Sequence, residues 1–341
     1  MLSVLASGLA VGLAFGYALQ RGRFCTNTGF RDALLINDGT LLRAWALAVV
    51  VQLLGVTALS GAGLLPVSVP PFWWAANVLG GVTFGVGMVL AGGCSSGTCY
   101  RVGEGLAGSL VALIAFGVGI VVMARGALAP LQDALQGYEI GAEGGSLTVA
   151  NLLGVSPWVV VVPVTIGAAV WFWRAGASRY RSGGWDWRAA GASLGLIGIA
   201  AWLASSGTGR PFGLSMTGPL RSWFEGLFAG DLVVDWGSML IVGLLLGSFL
   251  SAWSNGELRW RVPKGGRLLQ SGVGGLAMGF GAQLAGGCTI GHSLTGLSVL
   301  SVGSIVTTLG IVAGAWGMAT WLFVLPARRM QREMAAPAAT D

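Results

Sequence analysis

Nine apolar runs dominate the chain, each long enough to cross a bilayer. They fall at 2–19, 41–63, 72–92, 105–125, 157–173, 188–206, 236–255, 268–287 and 302–325. About 20 apolar residues span the hydrocarbon core as a helix. In lipid each backbone amide must find its partner within the protein, so such runs are helices. Composition closes the alternatives: of 341 residues 54% are hydrophobic and 9% charged, against about 25% charged in soluble domains. That excludes an ordinary soluble enzyme, a nucleic-acid binder and a disordered chain. The expected fold class is an all-α polytopic membrane protein, a single transmembrane domain over 1–341. Residues 2–19 show no basic leader and no clear cleavage site, and are expected to stay as a helix.

The basic residues give an orientation. Arg21, Arg23, Arg31 and Arg43 separate runs one and two. Arg174, Arg179, Arg181 and Arg188 separate five and six, and Arg259, Arg261, Lys264 and Arg267 separate seven and eight. Arg328, Arg329 and Arg332 end the chain. Basic loops stay cytoplasmic. The 126–156 loop carries Asp133, Glu139 and Glu143 without Lys or Arg, and 64–71 is uncharged, so both are expected outside. This places the N-terminus outside and the C-terminus in the cytoplasm.

Four segments are too short to cross: 24–37, 94–103, 212–229 and 288–299. Glycine-punctuated apolar pieces of this length suit re-entrant helices lining a protein interior or water cavity.

A repeat is written into the chain. The stretch Gly80–Gly97 and the stretch Gly274–Gly291 share ten of 18 residues at an offset of 194. The same offset is expected to carry runs one to four onto six to nine. Run five is then an odd link, so the halves point opposite ways across the membrane. The organisation expected is repeat one at 1–125 and a connecting region at 126–187. The inverted repeat two follows at 188–328, and a cytoplasmic tail at 329–341. Secondary transporters built this way hold their site near the midplane.

Within each repeat lies Ala-Gly-Gly-Cys-x-x-Gly, around Cys94 with Gly92, Gly93 and Gly97, and around Cys288 with Gly286, Gly287 and Gly291. Glycines that only let helices pack would explain Gly80 or Gly85. Three glycines around one thiol instead break a helix and bare its backbone, with Gly93 expected in a tight or left-handed turn. N–H groups at a half-helix N-terminus bind anions without a fixed charge. A neutral thiol adds a weak donor and a polarisable surface. Together they suit an anion with a soft sulfur end.

Other residues are less specific. Cys25, in Arg21-Gly-Arg-Phe-Cys, reads by itself as a packed small side chain. Its counterpart is expected near Pro211-Phe-Gly-Leu, where glycine replaces cysteine. Cys99 has no counterpart and reads as packing. His292, the one histidine, suits a structural role or a metal site with the cysteines. Arg101 and Glu104 are expected to pair with each other and fix their segment. Arg210 and Arg221 stand near the outer entrance or among lipid headgroups. There is no Gly-x4-Gly-Lys-Ser/Thr, and so no sign of an ATP motor in this chain.

These stretches resemble the YeeE/YedE family of membrane sulfur transporters. The likeness runs from residue 1 to about 328, through Arg-Gly-Arg-Phe-Cys25, Ala-Gly-Gly-Cys94-Ser-Ser-Gly with Arg101-Val-Gly-Glu-Gly, and Ala-Gly-Gly-Cys288-Thr-Ile-Gly-His. The resemblance implies uptake of thiosulfate, with some members tied to selenium compounds. It implies about nine spans with about four short inserted helices, and a substrate relay by S–H···S bonds over Cys25, Cys94 and Cys288. The glycines named above, His292, Arg101 and Glu104 then support the path. A separate cytoplasmic sulfur carrier of the TusA type is the partner implied, besides the thiosulfate ion and membrane lipid. No cofactor, resident metal or catalytic residue is expected. Two other classes compete: a membrane sulfurtransferase that forms a cysteine persulfide, and a metal site at Cys94, Cys99, Cys288 and His292.

Overall fold

The computed structural model describes residues 2–141, 147–174, 184–208, 211–230 and 233–335. Glu143, Arg179, Arg181 and Arg210, named above, lie outside them, as do 336–341 of the tail.

Among the described residues the chain is helical almost throughout. The elements are α1 Leu2–Arg21, α2 Thr26–Leu35, α3 Thr40–Gly61, α4 Trp74–Ala91, α5 Ser95–Gly103, α6 Ala107–Ala124, α7 Ala129–Gln136 and α8 Val149–Leu153. They continue as α9 Pro157–Arg174, α10 Trp187–Ser206, α11 Thr217–Ala229, α12 Trp236–Ser254, α13 Gly265–Ala285, α14 Val302–Ala319 and α15 Leu325–Ala335. The nine apolar runs become α1, α3, α4, α6, α9, α10, α12, α13 and α14. Eight of these are long and apolar enough to cross a membrane on their own. The exception is α13, whose 21 residues include seven glycines with Arg267, Gln270 and Gln283. It lies against both α4 and α6, so packing replaces the apolarity it lacks. By contrast α9 buries only Val161 and turns its apolar surface outward, as a lipid-facing span does.

The short segments appear where expected: α2, α5, α11, and a π turn at Gly291–Gly296 closed by a 3₁₀ turn at Leu297–Val299. The acidic loop also folds into α7 and α8. These were not expected, because eight and five residues leave little periodicity to read.

Helix contacts come in matched pairs. The α1–α12 pairing answers to α10–α3, and α13–α6 answers to α4–α14, while α4 and α13 pack on each other at the centre. Glycine permits that central contact. A Cβ at Gly80 would stand 2.7 Å from the Ala285 amide nitrogen and from the Gly281 carbonyl oxygen. Such close backbone approach is what small residues supply between membrane helices.

The offset of 194 holds from α4 to α14 but not at the first helix. Leu2 and Trp187 open α1 and α10, about nine residues out of register. The connection and the helix after it explain it: four residues, 22–25, join α1 to α2 and ten, 207–216, join α10 to α11, while α11 has 13 residues against 10 in α2.

Candidate functional site

Each Gly-Gly-Cys motif stops a helix and starts another. Gly92 and Gly286 cap α4 and α13 in the left-handed conformation, with φ of 75° and 80°. Side chains resist that region and glycine does not. The left-handed residue is therefore the first glycine of each pair. Gly93, expected in such a turn, is instead constrained by packing. A Cβ there would meet the Arg101 guanidinium at 2.9 Å and the Thr98 hydroxyl at 3.2 Å.

The break delivers Cys94 to the N-cap of α5, where its sulfur accepts the Gly97 N–H at 3.4 Å. Cys25 caps α2. Its thiol reaches the Cys94 sulfur at 3.6 Å, and the Cys94 N–H points back to the Cys25 sulfur at 3.5 Å. The Ser96 hydroxyl lies 3.6 Å from the Cys94 sulfur. Two thiols from different helices thus meet at two helix N-termini, and both are fully buried. Gly97 makes the meeting possible, since a Cβ there would stand 2.5 Å from the Cys25 sulfur.

Cys288 is equally buried, in the matching break before the π turn. Its sulfur makes no hydrogen bond to another cysteine among the described residues. Cys99 is buried on α5. The four thiols are free.

Sequence reasoning missed the hydroxyls. Thr26 Oγ1, Asn27 Oδ1, Ser95 Oγ and Thr98 Oγ1 are buried without a hydrogen-bond partner around Cys25 and Cys94, and Thr289 Oγ1 likewise beside Cys288. A buried polar group left unpaired costs about 1–3 kcal/mol, so such a cluster calls for an explanation. The signal was visible: Cys25-Thr26, Cys94-Ser95 and Cys288-Thr289 all place a hydroxyl directly after the thiol. Cys99 is followed instead by the bulky phenol of Tyr100.

The neighbouring charges are held elsewhere than expected. Arg101 donates from Nη1 to the Gly92 carbonyl and lies 5.6 Å over the Tyr100 ring. Glu104 accepts from Gln20 at 3.1 Å and faces Arg261 at 4.0 Å. The expected Arg101–Glu104 pair does not form, because each finds a tertiary partner. Arg221 is bound to Glu225 at 2.7 Å, and Arg125 reaches the same carboxylate at 3.3 Å. His292 is tied at both nitrogens: Nε2 donates to the Ala285 carbonyl and Nδ1 contacts the Ser304 hydroxyl, each at 3.0 Å. A carbonyl only accepts, so Nε2 carries the proton and neither nitrogen is left for a metal or a substrate. Among the described residues no group of three or more His, Cys, Asp or Glu could hold a metal ion.

A cavity of about 1180 Å³ opens on the side of the basic loops. Arg23, Arg31, Trp185 and Arg261 line it, and Tyr100 and Arg101 form part of its wall. Those last two belong to α5, the helix whose N-terminus presents Cys94.

The chain is 38% identical over 351 residues to the thiosulfate transporter TsuA of Escherichia coli, covering 98% of this chain and 99% of that protein. It is 37% identical over 331 residues to the TsuA of Spirochaeta thermophila, covering 93% and 98%. A probable transporter, YedE of Salmonella typhimurium, is 35% identical over 101 residues, 29% of this chain and 24% of that protein. Residues 21–317 match the family described as sulphur transport, and this multi-pass membrane protein belongs to that family.

Proposed function

We propose that the chain carries thiosulfate into the cytoplasm across the bacterial inner membrane, handing it along Cys25, Cys94 and Cys288. The observation that carries this reading is the buried Cys25–Cys94 contact ringed by unpartnered hydroxyls. A dianion stripped of water needs donors for its oxygens and its sulfur. The thiols offer S–H to the terminal sulfur. Thr26, Ser95 and Thr98 offer O–H to the oxygens, and the N-termini of α2 and α5 add oriented N–H groups. Hydrogen bonds to a charged group contribute about 1.5–3 kcal/mol each, so a few offset much of the desolvation. The likeness to two proteins named thiosulfate transporter supports the substrate.

The basic loops support an N-terminus outside and a C-terminus in the cytoplasm, and the matched helix contacts support two inverted repeats with the thiols between them. The large cavity is then the cytoplasmic vestibule. The substrate leaves Cys94 past Tyr100 and Arg101, the glycines shape the two breaks, and His292 and Glu104 brace the segments. A separate TusA-type sulfur carrier would receive sulfur at the vestibule. A selenium-containing anion fits the same donors. Sulfur transfer is disfavoured because the one histidine has both nitrogens engaged.

The test is uptake of labelled thiosulfate by proteoliposomes holding wild type or Cys94→Ala. Uptake in wild type and none in the variant is expected. No uptake by folded wild type, or a stoichiometric persulfide on a cysteine after exposure to thiosulfate, overturns the reading.

A further inference from the structure

The geometry points to Ser215 as the second half's counterpart of Cys25, a specificity-determining hydroxyl on the outer approach to Cys288. This inference rests on the transport reading above and adds a residue outside the cysteine relay.

The correspondence is geometric. Gly97 faces the Cys25 sulfur, and the glycine 194 residues later, Gly291, faces the Ser215 hydroxyl. The flanking contacts repeat in step: Gly93 packs on Thr98, and Gly287 packs on His292. The counterpart of Cys25 is therefore a serine just beyond the expected Pro211-Phe-Gly-Leu stretch, 76 residues before Gly291 where Cys25 stands 72 before Gly97.

The two corners differ in width. A Cβ at Gly97 would stand 2.5 Å from the Cys25 sulfur, whereas at Gly291 it would stand 3.8 Å from the Ser215 oxygen and 4.0 Å from the Phe212 ring. The first corner is closed by sulfur on sulfur. The second is looser, with neighbours at ordinary contact distance, and Ser215 is half-buried there.

Its surroundings are rich in unused donors. Thr217 Oγ1, two residues on at the start of α11, is buried without a partner, as are Thr289 Oγ1 and Trp202 Nε1. The Trp202 nitrogen would lie 2.9 Å from a Cβ on Gly213, in the same loop as Ser215. These buried, unpartnered groups are the second observation, beyond the helix end itself, that points to a ligand.

The chemistry divides accordingly. Hydroxyl and indole N–H groups are hard donors that match oxygen, whereas a thiol suits the softer sulfur. An anion with oxygens at one end and sulfur at the other is oriented here, oxygens toward Ser215 and sulfur toward Cys288. It then enters the relay sulfur first. An all-oxygen anion engages Ser215 alone.

Labelled thiosulfate uptake would be measured over a concentration series for wild type, Ser215→Ala, Ser215→Thr and Cys94→Ala. Ser215→Ala is expected to raise the half-saturating concentration about tenfold, the loss of one hydrogen bond to a charged group. The maximal rate should fall far less. Ser215→Thr, which keeps the hydroxyl, should return within about threefold of wild type. Half-saturation in Ser215→Ala equal to wild type overturns the inference. So does loss of maximal rate alone in both Ser215 variants, which marks a folding role. In either case wild type and Cys94→Ala still behave as the transport reading requires. Wild type that takes up no thiosulfate overturns both.

Discussion

The Cys25 sulfur stands 3.6 Å from the Cys94 sulfur, and the space for that contact exists because residue 97 has no side chain. The pair is a relay step only if both sulfurs and the gap survive. Cys25→Ala and Cys94→Ala should each reduce thiosulfate uptake to background. Unfolding free energy should change by about 1 kcal/mol, a small loss for a core position. Gly97→Ala should lower uptake at least about tenfold with both thiols intact, by driving them apart. Overpacking of this kind costs about 1–3 kcal/mol. Uptake assays beside denaturant unfolding of detergent-solubilised protein check all three.

The left-handed caps should separate by their surroundings. Gly92 has open space where a Cβ would sit, whereas at Gly286 a Cβ would meet the Trp73 ring at 3.0 Å. Gly92→Ala should cost about 1–2 kcal/mol of backbone strain. Gly286→Ala should cost more, because Trp73 must also move. Equal losses would mean that the indole gives way freely.

The nine long helices were legible because apolar length is a strong signal, and it found even the glycine-diluted α13. Cys94 and Cys288 stood out through the Gly-Gly-Cys breaks, whereas Cys25, after Arg-Gly-Arg-Phe, read by itself as packing. Contacts set by distant partners were not. Arg101 and Glu104 are spaced as helical neighbours, yet one is held by the Gly92 carbonyl and the other by Gln20 and Arg261. Ser215 was hidden because four more residues separate it from Gly291 than separate Cys25 from Gly97, so a fixed offset of 194 points to Pro219 instead. The hydroxyls after each cysteine were in plain view, but only burial distinguishes an unpartnered serine from an ordinary one.

Glu257 supports the closure of the basic-loop side. Its carboxylate accepts from Gln20 at 2.6 Å and Arg23 at 2.9 Å, with Arg21 at 4.0 Å. Partial burial pushes its pKa up, but the Gln20 bond and the two arginines outweigh that and hold it below the usual 4.5. A lowered folded-state value means the ionised form is favoured by folding. The contribution is present above the ordinary carboxylate range and is lost as pH falls through the folded value. Wild type should therefore lose more stability than Glu257→Gln between pH 7 and acid below the carboxylate range. Parallel unfolding curves for the two proteins at both pH values would contradict this.

The thiol contact also predicts sensitivity to oxidation. Two S–H groups in van der Waals contact need to close only from 3.6 Å to a bond length of about 2.05 Å. A small permeant thiol oxidant of the diazene class takes up two protons and two electrons, becoming a hydrazine, as the two S–H bonds break and the S–S bond forms. The disulfide has no S–H to offer a passing anion, and it ties α2 to α5. Brief treatment of proteoliposomes should therefore abolish uptake, and dithiothreitol should restore it. Mass spectrometry should find Cys25 and Cys94 joined in one cross-linked peptide pair, lighter by two hydrogens. Cys99→Ala should respond as wild type does, because Cys99 makes no sulfur–sulfur hydrogen bond among the described residues. Inhibition that persists after reduction, or a cross-link through Cys99, would show that the Cys25–Cys94 pair is not the reactive contact.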